Sequence, residues 1–524
     1  MQPAHERGVP PRMDVRDIAQ PRRGVAQDKP ALVFHGRCYT YGELAAESAR
    51  LARGLSRRLA PGELLALWLP NGPELLCLYL ACLRSGIVPV PLHRDMAAPE
   101  AGAILRSSRA RVLIASGSLL GAAQQAIAHD SLERIYVIGA PARAGCHDYE
   151  ELRCEGGTIA VYRDSDDSTG FVLHTSGSDG RAKGVMLSWR NLNEILDLRL
   201  SQTRLGPDSV AVVASCLTQS VGLHQSLALL AAGGTLVLLE GYDIARMADA
   251  IHRYRPTHLI MVVNAFDRLL HHPAITAASL ASVRFAAVGA DRVTRRVQER
   301  HIALTGRPLH VSYGMSESSW AIVNLDGRSD KCLALGKPAP GVAIRLVDEQ
   351  GLEVPPGATG EIQIRSPRTM PGYLHDPALT QAAFSDGWLR SGDLAWRDDE
   401  GYFWFAGRSK HIIVLGSGDN VSPVEIEQAL LGHPGVARCL VAATTAAEDG
   451  SEVPRAFVVR TDTSLCAGEL LDYLRPRLSA HKLPREIVFV EELPLGPTGK
   501  LASMRARRDT EAVSGQLAAP GARR

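Results

Sequence analysis

The sequence lacks any strong charge bias, and the missing features argue against two broad classes of function. Its 524 residues carry 58 Lys and Arg against 56 Asp and Glu, so the net charge at pH 7 is only +2. No basic patch with interleaved aromatic residues occurs, which leaves nucleic-acid binding without support. The stretch 1–29 is rich in Pro, Arg and Asp and has no apolar core, so we expect neither a signal peptide nor a transmembrane segment there. We interpret it as a loose N-terminal arm.

Metal-type cysteine spacing is also absent. The nine cysteines are scattered singly along the chain, at Cys38, Cys77, Cys82, Cys146, Cys154, Cys216, Cys332, Cys439 and Cys466. Such scattering suits reduced thiols better than a zinc motif or a disulfide framework. We therefore expect a cytoplasmic protein.

The length and the hydrophobic pattern predict an α/β protein of more than one domain. A chain of 524 residues is too long for a single ordinary core, and 45% hydrophobic with 22% charged residues is typical of a folded globular protein. The pattern predicts a buried strand at 64–69, a helix at 73–85 and another strand at 88–92. Repeated strand-then-helix order predicts parallel sheets covered by helices on both faces.

The most informative stretch is 173–185, which has the sequence LHTSGSDGRAKGV. A predicted strand leads into glycines, hydroxyls and one lysine, and an apolar run follows. Glycines let backbone N–H groups approach an anion, hydroxyls donate hydrogen bonds to it, and Lys183 adds positive charge. We interpret the stretch as a phosphate-binding loop, although it lacks the Gly-Lys-Ser/Thr of a Walker A motif. A Gly- and Ser-rich surface turn is the alternative.

More strands and a helix are predicted downstream. The strands lie at 210–214, 234–239, 258–263 and 284–290, and the helix lies at 222–232. The strands at 258–263 and 284–290 end at small or polar residues, at the edge where open α/β sheets form ligand crevices. The segment 309–317 marks a second crevice, where a turn at Tyr313 and Gly314 would expose an aromatic face, a hydroxyl and a carboxylate together.

Five motifs stand in the order found in the adenylate-forming superfamily, which contains acyl-CoA synthetases, adenylation domains of peptide synthetases and luciferases. They are the loop 175–184, the segments 313–317 and 390–394, the pair Gly407 and Arg408, and the late segment 497–500. The chain resembles this superfamily over most of its length. The turn at 416–420 is closest in style to the fatty acyl-CoA ligases.

The resemblance implies a domain organisation and a reaction. A large N-terminal domain of parallel-rich sheets with flanking helices would occupy 30–407, and a small mobile α+β domain would occupy 408–509. Lys410 would be the hinge, and 510–524 would be a disordered tail. The implied reaction is ATP-dependent formation of an acyl-adenylate with pyrophosphate release, followed by transfer of the acyl group to a thiol.

The resemblance also implies roles for single residues. Ser316 would contact the α-phosphate, Glu317 would hold Mg²⁺, which prefers hard oxygen ligands, and Lys500 would reach the reacting groups when the small domain closes. The other nucleotide contacts would be Thr175, Ser176, Gly177, Ser178, Gly180 and Lys183 at the phosphates, Gly289, Ala290, Tyr313 and Gly314 around adenine, and Asp393 and Arg408 at the ribose. Any one of them alone could be a structural residue; their joint order favours function.

The segment 216–224 lies where superfamily members bind the acyl group, and Gln219, Ser220 and His224 are its candidate contacts. Members that activate amino acids place an Asp near the position of Ser220. A neutral serine cannot pair with a substrate ammonium, so we expect a fatty or other non-amino carboxylic acid. His224 has a structural alternative as an ordinary helix-face histidine.

Three functions stay open at this stage. The first is an acid–thiol ligase that uses CoA. The second is a stand-alone enzyme that loads the phosphopantetheine of a separate carrier protein, since no carrier motif follows Lys500. The third is a degenerate nucleotide-binding protein, because Asp179 places an anion beside the triphosphate where most relatives have Thr. The presence of Glu317, Asp393 and Lys500 argues against the third. The oligomeric state is left open.

Overall fold

The computed structural model describes residues 13–20, 24–126, 132–140, 145–157, 159–176, 182–409, 413–415, 420–445 and 452–493. Within these residues a large N-terminal α/β part with mostly parallel sheets precedes a smaller C-terminal part. This arrangement confirms the predicted fold class. No helix in the described part is long and apolar enough to cross a membrane.

The first part of the chain alternates strands and helices, as the pattern predicts. Its elements are β1 (Pro30–Phe34), β2 (Arg37–Thr40), α1 (Tyr41–Ser56), β3 (Leu64–Trp68), α2 (Pro73–Ser85), β4 (Val88–Leu92), α3 (Ala98–Ser108), β5 (Val112–Ser116), α4 (Leu120–Ala126), β6 (Arg134–Ile138) and β7 (His147–Asp148). Thr40 and Glu43 form a capping box that starts α1, and Pro73 opens α2. The described strands β4–β3–β5–β6–β7 form a parallel sheet in that order.

The predicted phosphate-binding stretch connects two paired strands. They are β8 (Thr169–Ser176) and β9 (Ala182–Ser188), which run antiparallel with Thr175 opposite Lys183. Helix α5 (Trp189–Thr203) follows directly, and Ser188 and Asn191 form its capping box. The hairpin therefore fixes both ends of the stretch on regular structure.

The largest sheet lies beyond the hairpin. Its region contains β10 (Val210–Val213), α6 (Ser220–Ala231), β11 (Thr235–Leu238), α7 (Ile244–Tyr254), β12 (His258–Val262), α8 (Val263–Leu270), α9 (Ala277–Leu280), β13 (Phe285–Gly289), α10 (Arg295–Thr305), β14 (His310–Met315), β15 (Ser319–Asn324) and β16 (Lys337–Pro338). The described strands follow the order β16–β15–β14–β13–β12–β10–β11–β1–β2. Strands β12, β13 and β14 are parallel neighbours, so the ends of β13 and β14 meet at one edge.

A further antiparallel sheet and the C-terminal part complete the described chain. The sheet elements are β17 (Ala343–Val347), β18 (Gly360–Arg365), α11 (Pro377–Ala383), β19 (Phe384–Ser385), β20 (Trp388–Arg397) and β21 (Phe403–Arg408). The C-terminal elements are β22 (Ile413–Val414), β23 (Asn420–Val421), α12 (Pro423–Leu431), β24 (Val436–Thr445), β25 (Glu452–Arg460), α13 (Ala467–Leu474) and β26 (Glu486–Phe489). The C-terminal part has its own apolar core, which includes Ile426, Leu430 and Val441.

Polar contacts join the C-terminal part to the large part. Arg292 Nη1 donates to the carbonyl oxygen of Val424 at 3.0 Å and lies 3.6 Å from a carboxylate oxygen of Glu427. Arg438 Nη1 donates to Asn264 Oδ1 at 3.2 Å. These contacts define the described arrangement of the two parts.

Residues 13–20 differ from the expected loose arm. Val15 and Ile18 are 1% and 5% exposed and belong to the same apolar core as α1 and α2. Arg16 Nη2 pairs with Asp14 Oδ2 at 2.5 Å. The expectation of a loose arm is wrong for this stretch, because two apolar side chains on one helical turn anchor it to the core. Its charges pair with each other and with Arg163 and Asp166.

A pair of glycine substitutions tests the packing of α1. A Cβ on Gly54 would lie 1.9 Å from the carbonyl oxygen of Leu152, whereas a Cβ on Gly121 in α4 would meet nothing within 4 Å. We expect Gly54→Ala to destabilise the protein by about 1–3 kcal/mol, because α1 must move. Gly121→Ala should be neutral or stabilising by up to about 1 kcal/mol. Thermal unfolding followed by circular dichroism measures both, and equal midpoints would contradict the close approach of α1.

Candidate active site

The buried carboxylate of Asp393 joins the largest sheet to the antiparallel sheet. Asp393 is 6% exposed and stands opposite Arg408 in the pairing of β20 with β21. Tyr313 in β14 donates its hydroxyl to Asp393 Oδ2 at 2.8 Å, and Arg408 Nε lies 2.9 Å from Oδ1. The predicted adenine residue and the two predicted ribose residues therefore form one connected group.

A second buried carboxylate, Glu317, lies in the turn after β14. It is 6% exposed, and Tyr373 donates its hydroxyl to Glu317 Oε1 at 3.0 Å. Lys183 Nζ from β9 lies 5.6 Å from the centroid of the Tyr373 ring. Burial raises the pKa of Glu317, while the Tyr373 hydrogen bond and the charges of Lys183 and Arg408 act in the opposite direction. The phosphate-loop lysine and the predicted metal ligand thus meet around Tyr373.

The ends of β13 and β14 pack closely on neighbouring backbone. A Cβ on Gly289 would lie 2.6 Å from the carbonyl oxygen of Ser312, and one on Gly314 would lie 1.9 Å from that of Ser319. Ala290 has a φ of 67°, in the left-handed region that L-residues rarely adopt. The backbone at the ends of β13 and β14 is therefore packed too closely on its neighbours for a larger residue at either glycine.

The predicted turn at Tyr313 and Gly314 is wrong in its local structure. Both residues lie within β14, and the pairing register with β15 shifts between them. Such a bulge changes the local direction of the strand. The actual turn follows at 316–318 and contains Ser316 and Glu317.

The structure describes most of the other predicted site residues, but not all of them. Thr175 and Ser176 end β8, Gln219 precedes α6, Ser220 is its first residue, and His224 lies one turn further. Gly177, Ser178, Gly180, Lys410 and Lys500 lie outside the described residues, so their predicted roles stay predictions.

A buried charge that the sequence interpretation missed lies beside α6, the predicted acyl-binding helix. His224 is 3% exposed, and its pKa is lowered to about 3 by burial and by the positive charge of Arg199. Arg199 lies in α5 with its guanidinium carbon 3.5 Å from the centroid of the Trp320 ring. One signal was present in the sequence: Arg199 falls on the same buried face of α5 as Leu192 and Leu196.

A cysteine lies just before α6. Cys216 Sγ is 3.1 Å from His93 Nε2, and burial raises the pKa of this thiol to about 11. A Cβ on Gly222 would lie 2.4 Å from the carbonyl oxygen of Cys216, so the first turn of α6 packs directly on it. All nine cysteines are described, and each one is free.

The sequence that carries Lys183 and the two buried carboxylates matches known protein families. Residues 21–374 match the family model described as AMP-binding enzyme, and residues 425–500 match that of the AMP-binding enzyme C-terminal domain. The chain belongs to the AMP-binding enzyme family. As a member of this family it is an AMP-forming ligase, which uses ATP to activate a carboxylic acid as an acyl-adenylate and transfers the acyl group to a thiol. The predicted superfamily and reaction are confirmed.

The similarity to AMP-binding enzymes extends over nearly the whole chain. The feruloyl-CoA synthase of Amycolatopsis sp is 33% identical over 93% of this chain and 97% of its own length. The indoleacetate–CoA ligase of Aromatoleum aromaticum is 32% identical over 93% of this chain and 96% of its own. The crystal structure of ATP-bound MatB from Rhodopseudomonas palustris has a TM-score of 0.85 at 28% identity, with 93% of this chain and 97% of that chain covered.

The hydroxyl of Tyr313 allows a test of the Asp393 group. Tyr313→Phe keeps the ring but removes the hydroxyl that donates to the Asp393 carboxylate. Hydrogen bonds to charged groups contribute about 1.5–3 kcal/mol, so we expect ATP to bind roughly tenfold more weakly. Titration calorimetry measures the change. Tyr402→Phe is the matched control, because it removes a hydroxyl that donates to Asp326 at 2.5 Å; a similar loss in both variants would contradict the specific role of Tyr313.

Proposed function

We propose that this chain is an acyl-CoA ligase that adenylates a non-amino carboxylic acid and passes the acyl group to CoA, with AMP as the second product. The convergence of Lys183, Glu317 and the Tyr313–Asp393–Arg408 group at the ends of β13 and β14 carries the proposal. Lys183 would supply a cation for the phosphates, Glu317 a carboxylate for the metal, and Asp393 an acceptor for the ribose hydroxyls.

The Asp393 group would bind the nucleoside. Tyr313 and Arg408 contact the two carboxylate oxygens of Asp393, and a carboxylate is the kind of acceptor to which ribose hydroxyls would donate. Arg408 would add a second ribose contact. The face of Tyr313 would stack on adenine, beside the half-buried backbone of Gly289 and Ala290.

The phosphates and Mg²⁺ would lie between Lys183 and Glu317, with Ser316 at the α-phosphate. A buried carboxylate with two nearby cations fits a site that receives metal and phosphate together. No group of three His, Cys, Asp or Glu side chains that could hold a metal occurs in the described residues, so the ion would take its other ligands from ATP and water, as Mg²⁺ commonly does. When bound, Mg²⁺ would reduce the charge on the phosphates.

The reaction itself would need positioning and charge stabilisation but no covalent nucleophile on the protein. A carboxylate oxygen of the acid attacks the α-phosphorus, and pyrophosphate leaves. The CoA thiolate then attacks the acyl carbonyl, and AMP leaves. Lys500 would stabilise the charge that develops in the first step. Lys410 would be the hinge about which the small domain at 408–509 rotates between the first step and the second.

The pocket around α6 supports a non-amino acid. Ser220 at the start of α6 supplies no negative charge for a substrate ammonium. The names of the feruloyl and indoleacetate relatives refer to carboxylic acids joined to CoA, which favours CoA over the carrier-protein alternative. The cytoplasmic location and the influence of Asp179, which lies outside the described residues, stay predictions.

Pyrophosphate release tests the adenylation step. Wild-type protein with MgATP and a panel of fatty, aromatic and amino acids should release pyrophosphate with non-amino acids only. Lys500→Ala should slow release by about 10²–10³-fold, because removing one preorganised charge contact has that effect on rate. Lys482→Ala is the control, since Lys482 pairs with Glu425 at 2.7 Å. No release with any acid would overturn the proposal in favour of a degenerate protein.

The pH dependence tests the role of Glu317. Burial raises its pKa, and only the ionised carboxylate can bind a metal, so MgATP affinity should fall on acidification at a pH above the ordinary glutamate value of about 4.3. Tyr373→Phe removes a hydrogen bond that opposes the rise, so the loss should begin at higher pH. Glu317→Gln provides the reference for titration of ATP itself. Identical profiles for wild type and Glu317→Gln would exclude Glu317 as the metal ligand.

A further inference from the structure

Arg199 is a buried cation without an anionic partner in the described part of the chain. Its side chain is 3% exposed, and Nε and Nη1 contact no acceptor among the described residues. Burial lowers its pKa to about 9, and no carboxylate acts to raise it. The guanidinium is therefore still charged at neutral pH. An unpaired buried charge is strongly unfavourable, so its presence calls for an anion from outside the fold.

The guanidinium of Arg199 packs over the Trp320 ring, but the ring does not neutralise its charge. The guanidinium carbon lies 3.5 Å from the ring centroid, which is a close cation–π contact. This contact leaves the N–H groups of Nε and Nη1 without an acceptor among the described residues. The edge of a guanidinium has the planar fork geometry that pairs with two oxygens of a carboxylate.

Arg199 lies between the nucleotide crevice and the predicted acyl pocket. Trp320 is opposite Gly314 in the pairing of β14 with β15, so it neighbours the strand that carries Tyr313. On the other side, α5 packs against α6, and the charge of Arg199 acts on His224 one turn into that helix. The cation is thus placed beside the region where the acyl chain of the substrate would lie.

We propose that the acyl pocket selects an acid that carries a second carboxylate, remote from the reacting one, and that Arg199 binds this second carboxylate. The inference rests on the proposed function and names its substrate class. A purely hydrocarbon tail would leave Arg199 unpaired, and a substrate ammonium would meet a like charge.

His224 would support the same anion. Both of its ring nitrogens are buried and contact no hydrogen-bonding partner among the described residues. A neutral imidazole always has one N–H donor, which can add a second contact to the bound carboxylate. One bound carboxylate would then give a partner to buried polar groups of both α5 and α6.

Matched substrates and variants test the proposal through pyrophosphate release. Each α,ω-dicarboxylic acid, from three carbons upward, is compared with its own monomethyl ester, which has the same chain but one charge fewer. We expect wild type to favour the best diacid over its ester at least about 30-fold in kcat/KM. Arg199→Met, similar in size but uncharged, should lose this preference. Arg190→Met should keep it, because Arg190 is an exposed residue of the same helix that pairs with Asp167.

Each outcome decides the inference. Equal kcat/KM for diacid and ester in wild type would overturn the Arg199 proposal, and so would an unchanged preference in Arg199→Met. In both cases adenylation of the esters would still support the proposed function. Should Arg199→Met not fold, Arg199→Lys serves instead, and the loss of the bidentate fork should still reduce the preference at least about fivefold. The absence of pyrophosphate release with any acid would overturn the proposed function. Thermal unfolding would then test the Arg199 site separately: stabilisation of wild type by a diacid but not by its ester supports the site, and equal unfolding midpoints overturn it.

Discussion

The contact between Tyr313, Asp393 and Arg408 holds the active-site crevice together. Tyr313 comes from the largest sheet, while Asp393 and Arg408 come from neighbouring strands of the antiparallel sheet. A carboxylate that is 6% exposed has to be paired, since an isolated buried charge is strongly unfavourable. The two sheets are therefore fixed relative to each other by the same group that would bind the ribose. Loss of that pairing would affect both the fold and nucleotide binding.

Residues in short motifs could be predicted from the sequence, because each motif keeps its chemistry within a few positions. The alternation of strands and helices, the hairpin around Lys183 and the positions of Tyr313, Glu317 and Asp393 follow from such local signals. Tyr373 could not be predicted in this way. It forms an isolated antiparallel bridge with Val185, and Leu374 N–H donates to the carbonyl oxygen of Gly184 at 2.7 Å. These contacts with β9, which is distant in sequence, hold Tyr373 beside Glu317.

Long-range packing explains the remaining differences. The pairing of Arg199 with Trp320 joins α5 to β15, two elements far apart in sequence, so only the fold brings them together. The bulge in β14 depends on its partner strand, which no local pattern at Tyr313 and Gly314 reveals. The burial of Val15 and Ile18 similarly depends on a surface that α1 and α2 provide. The role of Lys500, in contrast, is inferred from the order of motifs in the sequence and from no contact in the fold.

The protonated state of Cys216 has a consequence for an enzyme that makes reactive acyl groups. An acyl-adenylate is attacked by thiolates, and Cys216 packs on the first turn of α6, beside the predicted acyl pocket. Burial raises its pKa to about 11, so at neutral pH it remains a thiol and is a poor nucleophile. Burial also raises the pKa of Cys77, Cys82 and Cys439. At neutral pH these buried thiols are therefore poor nucleophiles toward an acyl-adenylate.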